Sequence, residues 1–142
     1  METIRIYLAG ACKHEEDEGK GWRDKAVQMF NTATEDKEVK VKIINPVDYF
    51  TYSDQNHQSD SQVKKYYMDQ ISNSRLVLVN LTRSDTSCGT CMEVQRAADK
   101  EIPVIGFGTE DVYPWLKVDC QCTFPSMLQA IDYIVDKYCT GW

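Results

Sequence analysis

The sequence predicts an α/β protein, a single-domain three-layer α/β/α sandwich around a parallel sheet of roughly five strands. Three observations lead there. Apolar runs of strand length alternate along the chain with segments of helical spacing, which is the order of βαβ units. The run LVLVNL at residues 76–81 is almost continuously apolar, as expected of a strand covered by helices on both faces. No repeat, linker or low-complexity stretch divides the 142 residues, so residues 1–142 read as one domain with one real core.

The elements follow in order. Residues 3–9 (TIRIYLA) alternate and then become apolar, a first strand closed by the small residues Gly10, Ala11 and Cys12. Residues 13–20 are acidic and polar, a loop. Trp22, Ala26, Met29 and Phe30 recur at helical spacing over residues 21–30. Residues 35–40 form a charged connection, and 41–45 (VKIIN) a second strand ended by Pro46. Residues 48–61 are aromatic, polar and without period; such a stretch is either a binding loop or lid, or a plain surface loop. Val63, Tyr66, Tyr67 and Ile71 give residues 62–72 the stripe of a helix. After the strand at 76–81 come a turn at 84–90, a helix at 90–100 and a strand at 102–107. A short last strand is expected near 118–122, and Pro125 is expected to open a final helix from its first position.

Composition limits the partners. A net charge of −6 excludes the basic face that a nucleic-acid polymer needs, while a local site for a phosphorylated small molecule stays open. No basic or cleavage-like leader and no run of membrane-spanning length is visible, so the expectation is a cytoplasmic protein with no membrane partner. The six cysteines allow two readings. Cys88 and Cys91, with Cys120 and Cys122, could in principle complete a zinc site; otherwise all are reduced, Cys91 in the helix core and Cys120 with Cys122 on one strand face.

Ligands of open α/β sheets sit at the carboxyl ends of strands. That directs attention to the loop after Leu81 and the next helix, where Glu93 stands. Thr90-Cys-Met-Glu93 fits a capping box, in which the glutamate reaches back to the Thr90 N–H. A helical wheel puts Cys91, Val94 and Ala98 inward and Glu93 on the flank, so it could equally face a cleft. There a carboxylate can attack an anomeric carbon, as in retaining glycosidases. Ser84, Thr86, Ser87 and Thr90 offer hydroxyls, and Gly89 admits a close backbone approach; the turn at Gly10 allows the same reading, and an ordinary capped turn is the alternative for both. Neither a GK[ST] phosphate loop, nor GxGxxG, nor GxSxG is present, which argues against nucleoside triphosphates, dinucleotides and serine hydrolases.

IYLAG at residues 6–10, GWR at 21–23, Asp69 separated by five residues from RLVLVNL at 75–81, SCGTCMEVQRA at 87–97 and then IPVIGF form an ordered set. Together they resemble the nucleoside 2-deoxyribosyltransferase family over most of residues 4–107. The resemblance implies a flavodoxin-like fold, an enzyme without metal or other cofactor, and a homo-oligomer whose neighbouring subunit completes the site. It implies that Glu93 is the nucleophile at C1′ of a 2′-deoxynucleoside, that Asp69 serves proton transfer or orientation, and that Tyr7 positions Glu93. Gly10, Ser87, Gly89 and Arg23 would then bind the substrate. Family members acting on free nucleosides often carry aspartate six positions before the nucleophile; here that position is Ser87. A serine resembles the related N-glycosidases that hydrolyse (deoxy)nucleoside 5′-monophosphates. The acidic loop ACKHEEDEG lacks their phosphate loop, although Lys13 and Arg23 remain. Transferase is thus the expectation. Hydrolase, or a silent nucleotide-binding module in which Glu93 only caps its helix, are the alternatives.

Overall fold

A computed structural model describes residues 1–12, 17, 19–49 and 59–140. Most of the irregular stretch at 48–61, and Trp142, lie outside the described residues. Five parallel strands form one sheet: β1 (Glu2–Ala9), β2 (Val39–Ile44), β3 (Leu76–Asn80), β4 (Val104–Phe107) and β5 (Cys122–Phe124), in the order β2-β1-β3-β4-β5. This is the flavodoxin-like strand order. The helices are α1 (Lys20–Thr34), α2 (Pro46–Tyr49), α3 (Asp60–Ser72), α4 (Cys88–Asp99), α5 (Pro114–Val118) and α6 (Met127–Tyr138). None among the described residues is long and apolar enough to cross a membrane.

Side chains of successive strand residues point to opposite faces, and this divides the core in two. Ile4, Ile6 and Leu8 of β1, with Leu76, Leu78, Ile105 and Phe107, pack under Ala26 and Phe30 of α1 and Ile131 and Ile134 of α6. Tyr7 and Ala9, with Val77, Val79 and Val104, face Ile71 of α3, Val94 and Ala97 of α4 and Leu116 of α5. Both faces of the central strands are therefore dry, which is why their sequence runs are apolar rather than alternating. The register aligns Tyr7 with Val77 and with Ile44.

Several expectations are corrected. Residues 114–118 are a helix, not the approach to a strand, and Pro114 takes the early helical position expected of Pro125. Pro125 instead precedes Ser126, whose hydroxyl caps α6 by accepting from the Gln129 N–H at 3.3 Å. The last strand is Cys122–Phe124. Cys120 packs with the α4 face and Cys122 with the α1 face, so the pair does not share one side of a strand. All six cysteines are free thiols, and no cluster of three or more candidate metal ligands exists among the described residues.

Helix α4 ends in a left-handed residue. Glu101 has φ 58°, while the Ile102 N–H donates to the Ala97 carbonyl at 2.9 Å and that of Glu101 to Ala98 at 3.0 Å. This is a Schellman closure with glutamate where glycine is usual. Glu101→Gly is expected to stabilise the fold by roughly 0.5–1 kcal/mol, read by thermal or urea unfolding, because it relieves the left-handed strain of a β-carbon.

Candidate active site

Strands β1 and β3 are neighbours, yet their following helices cover opposite faces of the sheet. Their carboxyl ends thus open a crevice, the usual ligand position in such sheets. A cavity of about 160 Å³ lies there, lined by Ala11, Asp17, Gly19, Trp22, Asn80 and Thr82. Glu93 does not line it. It stands on the α4 face, where the Tyr7 hydroxyl of β1 donates a hydrogen bond to its Oε2.

Helix α4 explains how Glu93 gets there. Ser87 is its N-cap and accepts from the Thr90 N–H at 3.4 Å, with the two hydroxyls 2.6 Å apart. Thr90 is therefore inside the helix, and the capping box expected between Thr90 and Glu93 does not form. The buried face is Thr90, Glu93, Val94 and Ala97, so Glu93 points at the sheet rather than along the flank and Ala97 takes the place expected of Ala98. Only 8% of Glu93 is exposed. One of its two oxygens is held by Tyr7, and Oε1 makes no hydrogen bond among the described residues. That is the arrangement a nucleophile needs.

Burial is the main influence on the ionisation of both groups. It pushes the Glu93 carboxyl up to about 7 against the smaller opposing pulls of the Tyr7 hydrogen bond and the Arg23 charge. Burial, then the Glu93 charge, hold the Tyr7 phenol well above its ordinary value. Tyr7 therefore stays a donor throughout the pH range in which Glu93 titrates.

Arg23 faces inward. It joins Ala26, Phe30 and Thr34 on the buried stripe of α1, and its Nη1 and Nη2 donate to the Gly19 and Gly10 carbonyls, each at 3.0 Å. Both groups are thereby turned to the main chain rather than toward the cavity. Gly10 is also wedged: a β-carbon there would lie 2.9 Å from the Trp22 ring and 3.3 Å from Asn80 Cβ. At Gly89, by contrast, nothing lies within 4 Å of the β-carbon position, so the first turn of α4 is open beside it.

Asp69 is not joined to Glu93 or Tyr7. Its Oδ1 accepts from Lys65 at 2.6 Å, and its side chain is 46% exposed. The Arg96 Nε donates to the Ser72 Oγ at 3.0 Å, fixing the relative heights of α4 and α3. Asp69 and Glu93 each stand three residues before those partners, about one turn nearer the sheet's carboxyl end.

Five cavity residues had no place in the sequence reading: Asp17, Gly19, Trp22 in this role, Asn80 and Thr82. The Asp17 carboxylate accepts from the Gly19 and Gly21 N–H groups at 2.9 Å each. These bonds hold it below the usual carboxylate range. Asn80 was the legible one, a polar residue ending an apolar strand; its Oδ1 accepts from the Thr82 N–H at 3.0 Å.

Two expectations follow. Because the folded state holds Glu93 protonated from about 4.5 up to about 7 while the unfolded chain does not, stability falls as pH rises through that window. Glu93→Gln should abolish this slope, a difference on the order of 3 kcal/mol between the two ends, measured by urea unfolding at a series of pH values. Gly10→Ala should cost about 1–3 kcal/mol in the same assay through overpacking against Trp22.

In comparisons with known proteins, residues 6–132 match the family described as Nucleoside 2-deoxyribosyltransferase. No curated protein matches the chain. Among solved structures, the 2-deoxyribosyltransferase of Bacillus psychrosaccharolyticus is similar with a TM-score of 0.70 at 18% identity, covering 92% of each chain. The 2-desoxiribosyltransferase from Leishmania mexicana gives 0.66 at 19% identity, covering 95% of this chain and 99% of that one. The Clostridium botulinum CMP N-glycosidase gives 0.55 at 18%, covering 94% and 99%. At such identities these structures speak for the fold, while the family match spans β1 through α6. The chain belongs to the nucleoside 2-deoxyribosyltransferase family.

Proposed function

We propose that this protein is a nucleoside 2-deoxyribosyltransferase with Glu93 as its nucleophile. One observation carries the reading: a buried carboxylate on α4 whose Oε2 is held by the Tyr7 hydroxyl of β1, with no hydrogen bond to Oε1 among the described residues. In the first half-reaction a Glu93 oxygen bonds to C1′ of a 2′-deoxynucleoside as the C1′–N bond breaks. The base leaves with that electron pair and takes a proton. In the second, a nitrogen of an incoming base attacks C1′ and loses a proton, and Glu93 leaves as a carboxylate. Two displacements give net retention.

Tyr7 fixes the attacking carboxylate, so that little reorganisation is left for the transition state. Asp69 is the proposed proton donor to the leaving base. Its height on α3 suits the role, and its Lys65 pair must open for it to turn inward. Ser87 and Gly89, at the first turn of α4, are proposed to meet the sugar. Gly10 and Arg23 are proposed to act through the loop they shape rather than by direct contact. The substrate is thus a deoxynucleoside, and no metal or other cofactor enters the mechanism.

A 5′-monophosphate hydrolase is the second reading, favoured by serine at position 87. Against it, the cavity carries the Asp17 carboxylate, which repels a phosphate. We further propose a homo-oligomer. Trp115 and Val118 of α5 are 75% and 78% exposed, and the Tyr113 ring lies tilted beside Trp115 with centroids 5.9 Å apart, an apolar surface that a second copy would cover.

The test is chromatography of the protein incubated with deoxyadenosine or deoxycytidine plus a different free base, and in parallel with dAMP or dCMP. A new deoxynucleoside is expected, lost by at least about 10³-fold in Glu93→Ala and reduced in Tyr7→Phe. Free base released only from the monophosphates would replace the transferase by the hydrolase. No turnover of any pair would leave a nucleotide-binding module.

A further inference from the structure

We infer that Arg23 is the positioning residue of this site: a buried guanidinium that ties the two ends of the β1–α1 loop together and so holds the wall of the crevice. This inference rests on the proposed role of Glu93 as nucleophile.

Arginine is almost never fully buried without a partner carboxylate, yet Arg23 is 1% exposed and makes no ion pair among the described residues. Burying a charge costs several kcal/mol unless its surroundings compensate. The compensation here is main-chain and aromatic. Two carbonyls accept from it, at Gly10 where β1 ends and at Gly19 where α1 begins, and its Cζ lies 4.7 Å from the Trp22 ring centroid. The Nε is buried without a hydrogen bond, so the cation is held but not fully satisfied.

The loop is built around this group. Gly19 has φ 79°, and a β-carbon on it would fall 2.3 Å from Arg23 Nη1 and 2.7 Å from the Ala11 carbonyl. Gly19, Ala11 and Trp22 in turn line the cavity. The guanidinium fork therefore fixes the wall of the crevice and not only the helix that carries it. A lysine could keep the charge but could not bridge two carbonyls in a fixed plane.

The same cation reaches Glu93. The groups acting on that carboxyl are Tyr7 from β1, a neutral donor, and Arg23 from α1. From α3, Tyr67 acts on Tyr7 rather than on Glu93. On α4 itself, Arg96 is directed away to Ser72. Arg23 is thus the cation opposing the burial that would keep Glu93 protonated.

The test separates charge from bridging. Full-length wild type, R23Q and R23K, labelled with ¹³C at glutamate carboxyls, are titrated by NMR, with E93Q assigning the Glu93 signal; amide exchange at Ala11 and Gly19 reports on the loop. The expected result is a Glu93 midpoint higher by about one pH unit in R23Q and unchanged in R23K. Faster exchange at both amides is expected in both variants. Where turnover is measurable, its acid limb should follow the same order. A Glu93 midpoint unmoved in R23Q would overturn the electrostatic part, and unchanged amide exchange would overturn the bridging part. R23M provides the neutral variant should R23Q not fold. Because the titration needs no turnover, an inactive wild type would remove the transferase reading while this inference is still decided.

Discussion

A carboxylate buried against the sheet and satisfied by one tyrosine is the constraint around which this molecule is arranged. Glu93 is 8% exposed, on a helix whose other inward residues are Thr90, Val94 and Ala97. Burying an ionisable group there is costly without a partner, and Tyr7 supplies the hydrogen bond from the adjacent face of β1. The pair joins the strand that opens the fold to the helix that follows β3. It does so beside the point where the sheet reverses its winding. What raises the proton affinity of Glu93 also makes its anion reactive once formed, since little water competes for it.

The opposite face of the sheet contributes the counterweight. Arg23 lies on the buried stripe of α1 and closes the loop after β1 upon itself. The two halves of the candidate site therefore differ in kind. The α4 side offers a reactive carboxylate held by a phenol. The α1 side offers a shaped wall, with Trp22 and Asp17 at the rim and glycines where side chains would collide. Both depend on the same strand, β1, whose odd and even residues face the two helix layers.

The sequence was most legible where burial is continuous. The apolar strands and the 3.6-residue stripes of α1, α3, α4 and α6 follow from local pattern, and the parallel sheet follows from their alternation. It was least legible where a partner is distant or lacks a side chain. Glu93 reads as a flank or cap residue because Tyr7 is 86 positions away. Arg23 reads as a surface or ligand-binding cation because its acceptors are main-chain carbonyls, which leave no mark in composition. Helix α5 was missed because Val118, Cys120 and Cys122 alternate like a strand, while Pro114 had already fixed a helical start. The motif resemblance pointed to Glu93, Tyr7 and Asp69 together; the first two are hydrogen-bonded, while Asp69 is paired with Lys65.

The claim on which everything rests is that Glu93 becomes covalently bonded to the sugar. The most direct measurement is mass spectrometry of the protein quenched in acid during incubation with a 2′-deoxynucleoside and no acceptor base. The account predicts a fraction of the chain heavier by one deoxyribosyl group, mapped to the peptide containing Glu93 and discharged when a free base is added before the quench. Turnover of the nucleoside with no such adduct on Glu93, or with the adduct on another residue, would contradict it.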